Sequence, residues 1–228
     1  GARAEDLERA EHASEIAMQL APELADAHVA RGLALSQRRR YDESAAHFEA
    51  AIRINPYLFD AYYYYGRLAF ARGAIDRSAD LFCAAARLRP EDFQSQMLYA
   101  QSLFMLGRID EAIDANRVGI ARAERVLALN PVDGRALSLG SGALQVDGQS
   151  TRAIEWAQRA LDLYPDDMSA LINAACLMTR LGRKEEALKY LERAFGRGWG
   201  KRDWIEHDAD YDLLRDDPRF QALLAKLS

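Results

Sequence analysis

Cysteine is scarce in this chain of 228 residues: Cys83 and Cys176 stand 93 positions apart (176−83) and outside any CxxC pair. That spacing offers neither a disulfide framework nor a thiolate metal knuckle. Both thiols are expected to be reduced, buried and structural, as suits a cytoplasmic protein. Long apolar runs are missing as well: no stretch approaches the roughly 18 residues of a membrane span. The N-terminus shows no secretory leader pattern. Neither sign of charge dominates, since 30 Lys and Arg against 35 Asp and Glu leave a net charge of −5. So mild a balance argues against wholesale nucleic-acid or membrane-surface binding. Half the residues are hydrophobic and 29% are charged, the balance of a folded chain rather than a disordered one.

Catalytic patterns are missing too. His12, His28, His47 and His207 are scattered, with no HExxH or HxxxH spacing among them. "HDAD" (207–210) reads as turn and N-cap residues ahead of a short "YDLLR" helix. "LGSGALQVDG" holds Gly140 and Gly142, but no strand precedes it and no third glycine follows at the dinucleotide spacing. There is no GxSxG elbow, and no lysine follows a glycine-rich loop. The basic run "RRRY" (38–41) reads as a solvated helix end that complements the helix dipole. The expectation is no catalytic residue, no metal ligand set, no cofactor and no nucleic-acid or membrane partner.

Proline is sparse, and its placement is informative. Pro22, Pro56 and Pro90 are 34 apart, as are Pro131 and Pro165, whereas the middle step of 41 (131−90) is 34 plus 7. A fixed period of this size marks a solenoid of stacked units. In the same register fall Gly32 and Gly66, with Ala100, Ser141 and Ala175 as their small counterparts. A loop glycine recurs as Gly73, Gly107, Gly148 and Gly182. Between these markers apolar residues recur at helical spacing twice per unit. Each unit is therefore two antiparallel helices, the second ended by proline, which cannot continue a helical ladder.

This pattern resembles the tetratricopeptide repeat. It implies an all-α fold, a right-handed α-solenoid of antiparallel helix pairs closed by a C-terminal capping helix. The whole chain is expected to form one solenoid domain, with a half repeat at 5–24 and repeats at 25–58, 59–92, 93–133, 134–167 and 168–201. Residues 202–228 form the cap. The family's first-helix tryptophan is His28, Tyr62, Gln96, Leu137 and Leu171 here. Seven inserted residues turn a helix through about 700°, close to two full turns. The extra length of 93–133 is thus expected to lengthen its second helix by about 10 Å. Either a longer array wall or a ledge for a partner would result. In the tail, Asp217–Pro218 starts a helix, and Phe220, Leu223, Leu224 and Leu227 form its apolar stripe. The string "WIEHDADYDLLRDDPRF" also resembles the end of repeat regions in bacterial regulatory proteins, where they follow a cyclase, kinase or winged-helix domain. A chain that begins within a repeat is what an excised C-terminal module would show.

The resemblance places first helices on a concave face, with the second, fifth, ninth, twelfth and thirteenth residue of each unit lining a groove. It implies a groove built around Tyr63, Arg67, Phe70, Met97, Gln101, Phe104 and Arg135. Apolar anchors beside a few directional polar groups suit a peptide or protein segment. The lysine and asparagine pair that clamps a peptide carboxylate in some members is missing at the fifth and ninth residues. Groove arginines outnumber acids, which favours neutral or acidic partners. The alternative use of the array is self-association beneath an effector domain. Within "AYYYYGRLAF" (61–70), Tyr62 and Tyr65 are expected in the core and Tyr63 on the groove side with Arg67 and Phe70. Packing of Tyr63, Phe70, Met97 and Phe104 inside the array is the competing placement.

Overall fold

The computed structural model describes residues 2–196, 205 and 208–227. The described elements are helical throughout and fall into two compact units, residues 1–90 and 91–228. The first unit holds α1 (Ala2–Leu20), α2 (Ala25–Gln37), α3 (Tyr41–Ile54), α4 (Phe59–Ala71) and α5 (Ile75–Leu88). The second holds α6 (Phe93–Met105), α7 (Ile109–Leu129), α8 (Gly134–Val146), α9 (Ser150–Leu163), α10 (Met168–Arg180) and α11 (Lys184–Phe195). A 3₁₀ turn (Ala209–Leu214) and α12 (Pro218–Leu224) complete it.

Local chemistry sets these boundaries. Asp92, Asp133 and Asp167 cap α6, α8 and α10 by accepting from the backbone N–H of Ser95, Ala136 and Ala170. Each three-residue turn inside a helix pair needs a left-handed residue. Gly73, Gly107, Gly148 and Gly182 supply it at φ between 72° and 80°. The turn between α2 and α3 has Arg39 in that place, at φ 61°.

The helices of a pair meet closely where glycine faces an aromatic ring sixteen residues later. A β-carbon on Gly32 would stand 2.8 Å from the Phe48 ring, and one on Gly66 would stand 2.9 Å from that of Phe82. Ser44 and Ser78 add hydroxyl hydrogen bonds to the carbonyls of Gly32 and Gly66, at 2.7 and 3.1 Å. In the first unit α1 is pinned by charge. Arg38 and Arg40 reach Glu11 at 2.8 and 3.5 Å, and Arg31 reaches Glu15 at 3.0 Å. The "RRRY" run is thus not merely a solvated helix end, because two of its arginines tie the α2–α3 turn to α1.

In the second unit α7 has 21 residues, seven more than the 14 of α3, α5 and α9. Side chains of its first fourteen residues tie it to its neighbours. Asn116, buried, donates to the Ala143 carbonyl at 2.7 Å, and Arg122 donates to the Asp92 carbonyl at 2.9 Å. At the C-terminal end, Asp217 caps α12 through the Arg219 N–H. Phe220, Leu223, Leu224 and Leu227 are all buried in the unit's core. Arg219 joins this cap to Glu185 at the start of α11, with two N–H donors at 2.8 Å each.

Candidate peptide-binding face

Successive side chains on a helix are about 100° apart, so the four tyrosines of α4 face four directions. Tyr65 points at α3: its ring stacks on Phe48 with centroids 5.9 Å apart, and its hydroxyl donates to Glu49 Oε1 at 2.7 Å. Burial, and then the neighbouring Glu49 carboxylate, pushes the Tyr65 phenol up from its ordinary value. Tyr63 stacks on Phe59 at 5.5 Å and meets Phe82 of α5 edge-on at 6.1 Å, with the Arg67 guanidinium 5.9 Å from its ring. It is 7% exposed, whereas Tyr62 and Tyr64 are half-buried. Tyr65 is a core ring as expected. Tyr63 is one too, instead of a ring open to a groove, and Tyr62 is only half-buried.

The reason is common to the repeats. Val29, Tyr63, Met97, Ser138 and Ile172, the fifth residues, are all buried. Met97 illustrates the cause, because its Cγ lies 2.8 Å from where a β-carbon of Gly119 on α7 would stand. That side chain fills the space between the helices of its own pair. Of the seven residues expected to line a groove, Tyr63, Phe70 and Met97 are buried within the helix pairs, Phe70 at 0% exposure. Arg67 in the first unit is half-buried, and so are Gln101, Phe104 and Arg135 in the second.

In the second unit the first helices α6, α8 and α10 share a face, and Arg135 shows it. Its Nε donates to Gln94 Oε1 on α6 at 2.9 Å, and its Nη1 to Ser169 Oγ on α10 at 3.3 Å. Three second-position residues thus form one polar row across three helices. Farther along the same helices lie Gln101, Gly142, Cys176 and Arg180. Here the chain's own residues 208–211 are seated. Arg180 pairs with Asp210 through Nε at 2.7 Å and through Nη2, and its Nη1 lies 3.4 Å from the Gly142 carbonyl. Gln101 Nε2 stands 3.4 and 3.5 Å from the two carboxylate oxygens of Asp208. The Cys176 thiol donates to Tyr211 Oη at 3.1 Å. Burial first, and then Asp210, pushes that thiol well above its ordinary value; burial first, and then Cys176, does the same for the Tyr211 phenol.

Cys176, Asp208 and Asp210 bring ligand atoms within 4.8 Å of one another. A guanidinium already neutralises Asp210 in this cluster, and its positive charge opposes a bound cation. The cluster is an ion-paired hydrogen-bond network. Asp208 also caps the 3₁₀ turn, accepting from the Asp210 N–H at 3.1 Å; His207 of the "HDAD" string lies outside the described residues. The remaining histidines are not all scattered. His28 and His47 meet across α2 and α3 with Nδ1 atoms 3.0 Å apart. Their separation of 19 residues hid the pair, although the polar residue at the usual tryptophan position was a signal that a polar partner stands opposite. Of the two glycines in "LGSG", Gly140 packs against Trp156, where a β-carbon would stand 2.5 Å from the ring, while Gly142 faces open space. Among the described residues no helix is long and apolar enough to cross a membrane.

The face can be set beside known proteins. The chain resembles a thermophilic TPR protein of Thermus thermophilus at 18% identity and a TM-score of 0.60, over 82% of this chain and 98% of that one. It resembles YrrB, a TPR protein with an unusual peptide-binding site, at 19% identity and a TM-score of 0.50 over 92% and 97%. It also resembles the Cut9–Hcn1 structure of the APC/C, at 15% identity and a TM-score of 0.63 over 97% of this chain and 46% of that one. No curated protein matches the sequence. At these identities the likeness shows the fold. The tetratricopeptide repeat sequence profiles match residues 25–58 and, in overlapping segments 66–120, 116–168 and 143–202, most of the rest. On the helix pairs and these matches together, the chain belongs to the tetratricopeptide repeat family.

Proposed function

We propose that this chain is a non-catalytic protein-interaction module that takes a peptide or partner segment on the face of its first helices. Repeats of this family generally mediate protein–protein interaction. The observation that carries the finer reading is the row Gln94–Arg135–Ser169, a line of half-buried, mutually hydrogen-bonded polar side chains across α6, α8 and α10. Half-buried Phe104 and Gln101 on α6 add an apolar contact and an amide. Polar groups that fix direction beside an aromatic contact are what segment recognition needs. Arginine in the row favours acidic or neutral segments. The similarity of YrrB, whose site is described as peptide-binding, supports the same use. A setting at the C-terminal side of a larger cytoplasmic bacterial regulator is supported by the tail string "WIEHDADYDLLRDDPRF".

A peptide-display selection against the full chain tests the reading. Enriched peptides are expected to carry acidic residues and to lose binding to Arg135→Glu by at least tenfold. Peptides that bind that variant unchanged would place the partner elsewhere.

A further inference from the structure

The face of the second unit already carries a peptide-like occupant. Gln101, Gly142 and Cys176 are the ninth residues of three successive repeats, and Arg180 is the thirteenth of the last. All four positions are among those through which the family is expected to meet a ligand. Three of them, Gln101, Cys176 and Arg180, meet a single 3₁₀ turn and its capping residue, which present two carboxylates and a phenol within four consecutive residues, Asp208 to Tyr211.

Each contact has a recognition character. Arg180 converges its Nε and Nη2 donors on one oxygen of the Asp210 carboxylate, a charge-assisted contact. Gly142 is not a packing glycine, because a β-carbon there meets nothing within 4 Å. Its carbonyl lies 3.4 Å from Arg180 Nη1. Cys176, deeply buried beside carboxylates, keeps its proton and so remains a donor to the phenol. Tyr211 is the anchor: it is fully buried and stacks on Phe220 with centroids 5.7 Å apart. The rest of the seat is looser. The Gln101 contacts are long, and the Arg180 side chain is 24% exposed.

We propose that this face is a receptor for a segment of Asp-x-Asp-Tyr chemistry, and that residues 208–211 occupy it in cis. A partner segment of the same chemistry then enters by displacing them. The proposal rests on the reading of α6, α8 and α10 as the partner face. A tethered segment competes at an effective concentration on the order of millimolar, so the intact chain holds a free peptide weakly until the cis segment is removed.

The probe is a labelled synthetic peptide, DADYDLL (residues 208–214), followed by fluorescence anisotropy against the full chain. Asp210→Ala with Tyr211→Ala empties the cis seat and is expected to bind the peptide at least about tenfold more tightly than the unaltered chain. Adding Arg180→Glu is expected to abolish that gain. A folded double variant that binds no more tightly, or binding that survives Arg180→Glu, overturns the proposal. Should the double variant lose its cooperative melting, Asp210→Asn keeps the shape, removes the charge and is expected to show a severalfold gain. A second readout needs no variant. Millimolar unlabelled peptide is expected to speed hydrogen exchange at residues 208–214 of the unaltered chain, and unchanged exchange counts against displacement. Failure here with success of the Arg135-dependent selection removes the cis ligand and leaves the partner face standing.

Discussion

His28 and His47 share one hydrogen bond between ring nitrogens, Nδ1 to Nδ1 at 3.0 Å, across α2 and α3. His28 Nε2 lies 3.0 Å from the Pro22 carbonyl, which only accepts, so that nitrogen carries the proton. With both rings neutral, His28 Nδ1 is bare and accepts from His47 Nδ1. The pair ties the loop before α2 to both helices of the first repeat.

The pair makes stability depend on pH. Burial first, then His28 and Arg31, holds His47 below its ordinary value of 6.5, and Glu43 opposes them. As pH falls, the unfolded chain therefore takes up this proton before the folded chain does. The contribution is complete above 6.5 and is lost as pH falls through 6.5 toward the lower folded value. Melting temperature is expected to decline across that window, and His47→Gln is expected to flatten the decline. An unchanged slope in the variant removes His47 as its source.

Gly140 and Gly142 stand two residues apart on α8 and are expected to respond oppositely to alanine. A β-carbon at Gly140 would meet the Trp156 ring at 2.5 Å, so Gly140→Ala is expected to destabilise by about 1–3 kcal/mol. Gly142→Ala meets nothing within 4 Å and is expected to stabilise by about 0.5–1 kcal/mol through helix propensity. Denaturant unfolding of both variants checks the pair.

Arg39 holds the left-handed place that glycine fills in the other four turns, at φ 61°. That conformation costs a residue other than glycine about 1–2 kcal/mol. After the added backbone entropy of glycine in the unfolded chain, Arg39→Gly is expected to stabilise by about 0.5–1 kcal/mol. A loss of stability in denaturant unfolding would mean that the Arg39 side chain contributes more than the turn costs.

Tyr63→Ala is expected to cost about 3 kcal/mol, because it empties a site closed by Phe59 and Phe82. Phe104→Ala removes a half-buried ring and is expected to cost about 1 kcal/mol. Equal losses for the two in denaturant unfolding would contradict the burial difference.

The helix pairs were legible because proline and glycine act locally. Pro22, Pro56, Pro90, Pro131 and Pro165 each follow the end of a helix, and Gly73 or Gly182 closes a turn regardless of its surroundings. The lengthened α7 was legible because seven residues almost preserve helical phase. Orientation around a helix was less legible. An error of half a residue step moves a side chain by about 50°, enough to turn Tyr63 from the core toward a groove. The seating of Asp208–Tyr211 on α6 and α10 was not legible at all, because it joins residues as far apart as Gln101 and Asp208 through tertiary packing. The arginines of "RRRY" were misjudged for the same reason, since their partner Glu11 lies on another helix.

Partners of this chain are expected to meet the first helices of the second unit. Hydrogen exchange of the full chain, with and without a selected peptide, is the deciding measurement. Slowed exchange is expected along α6, α8 and α10, around Gln101, Arg135 and Arg180. Protection confined to α7, α9 and α11 would contradict it.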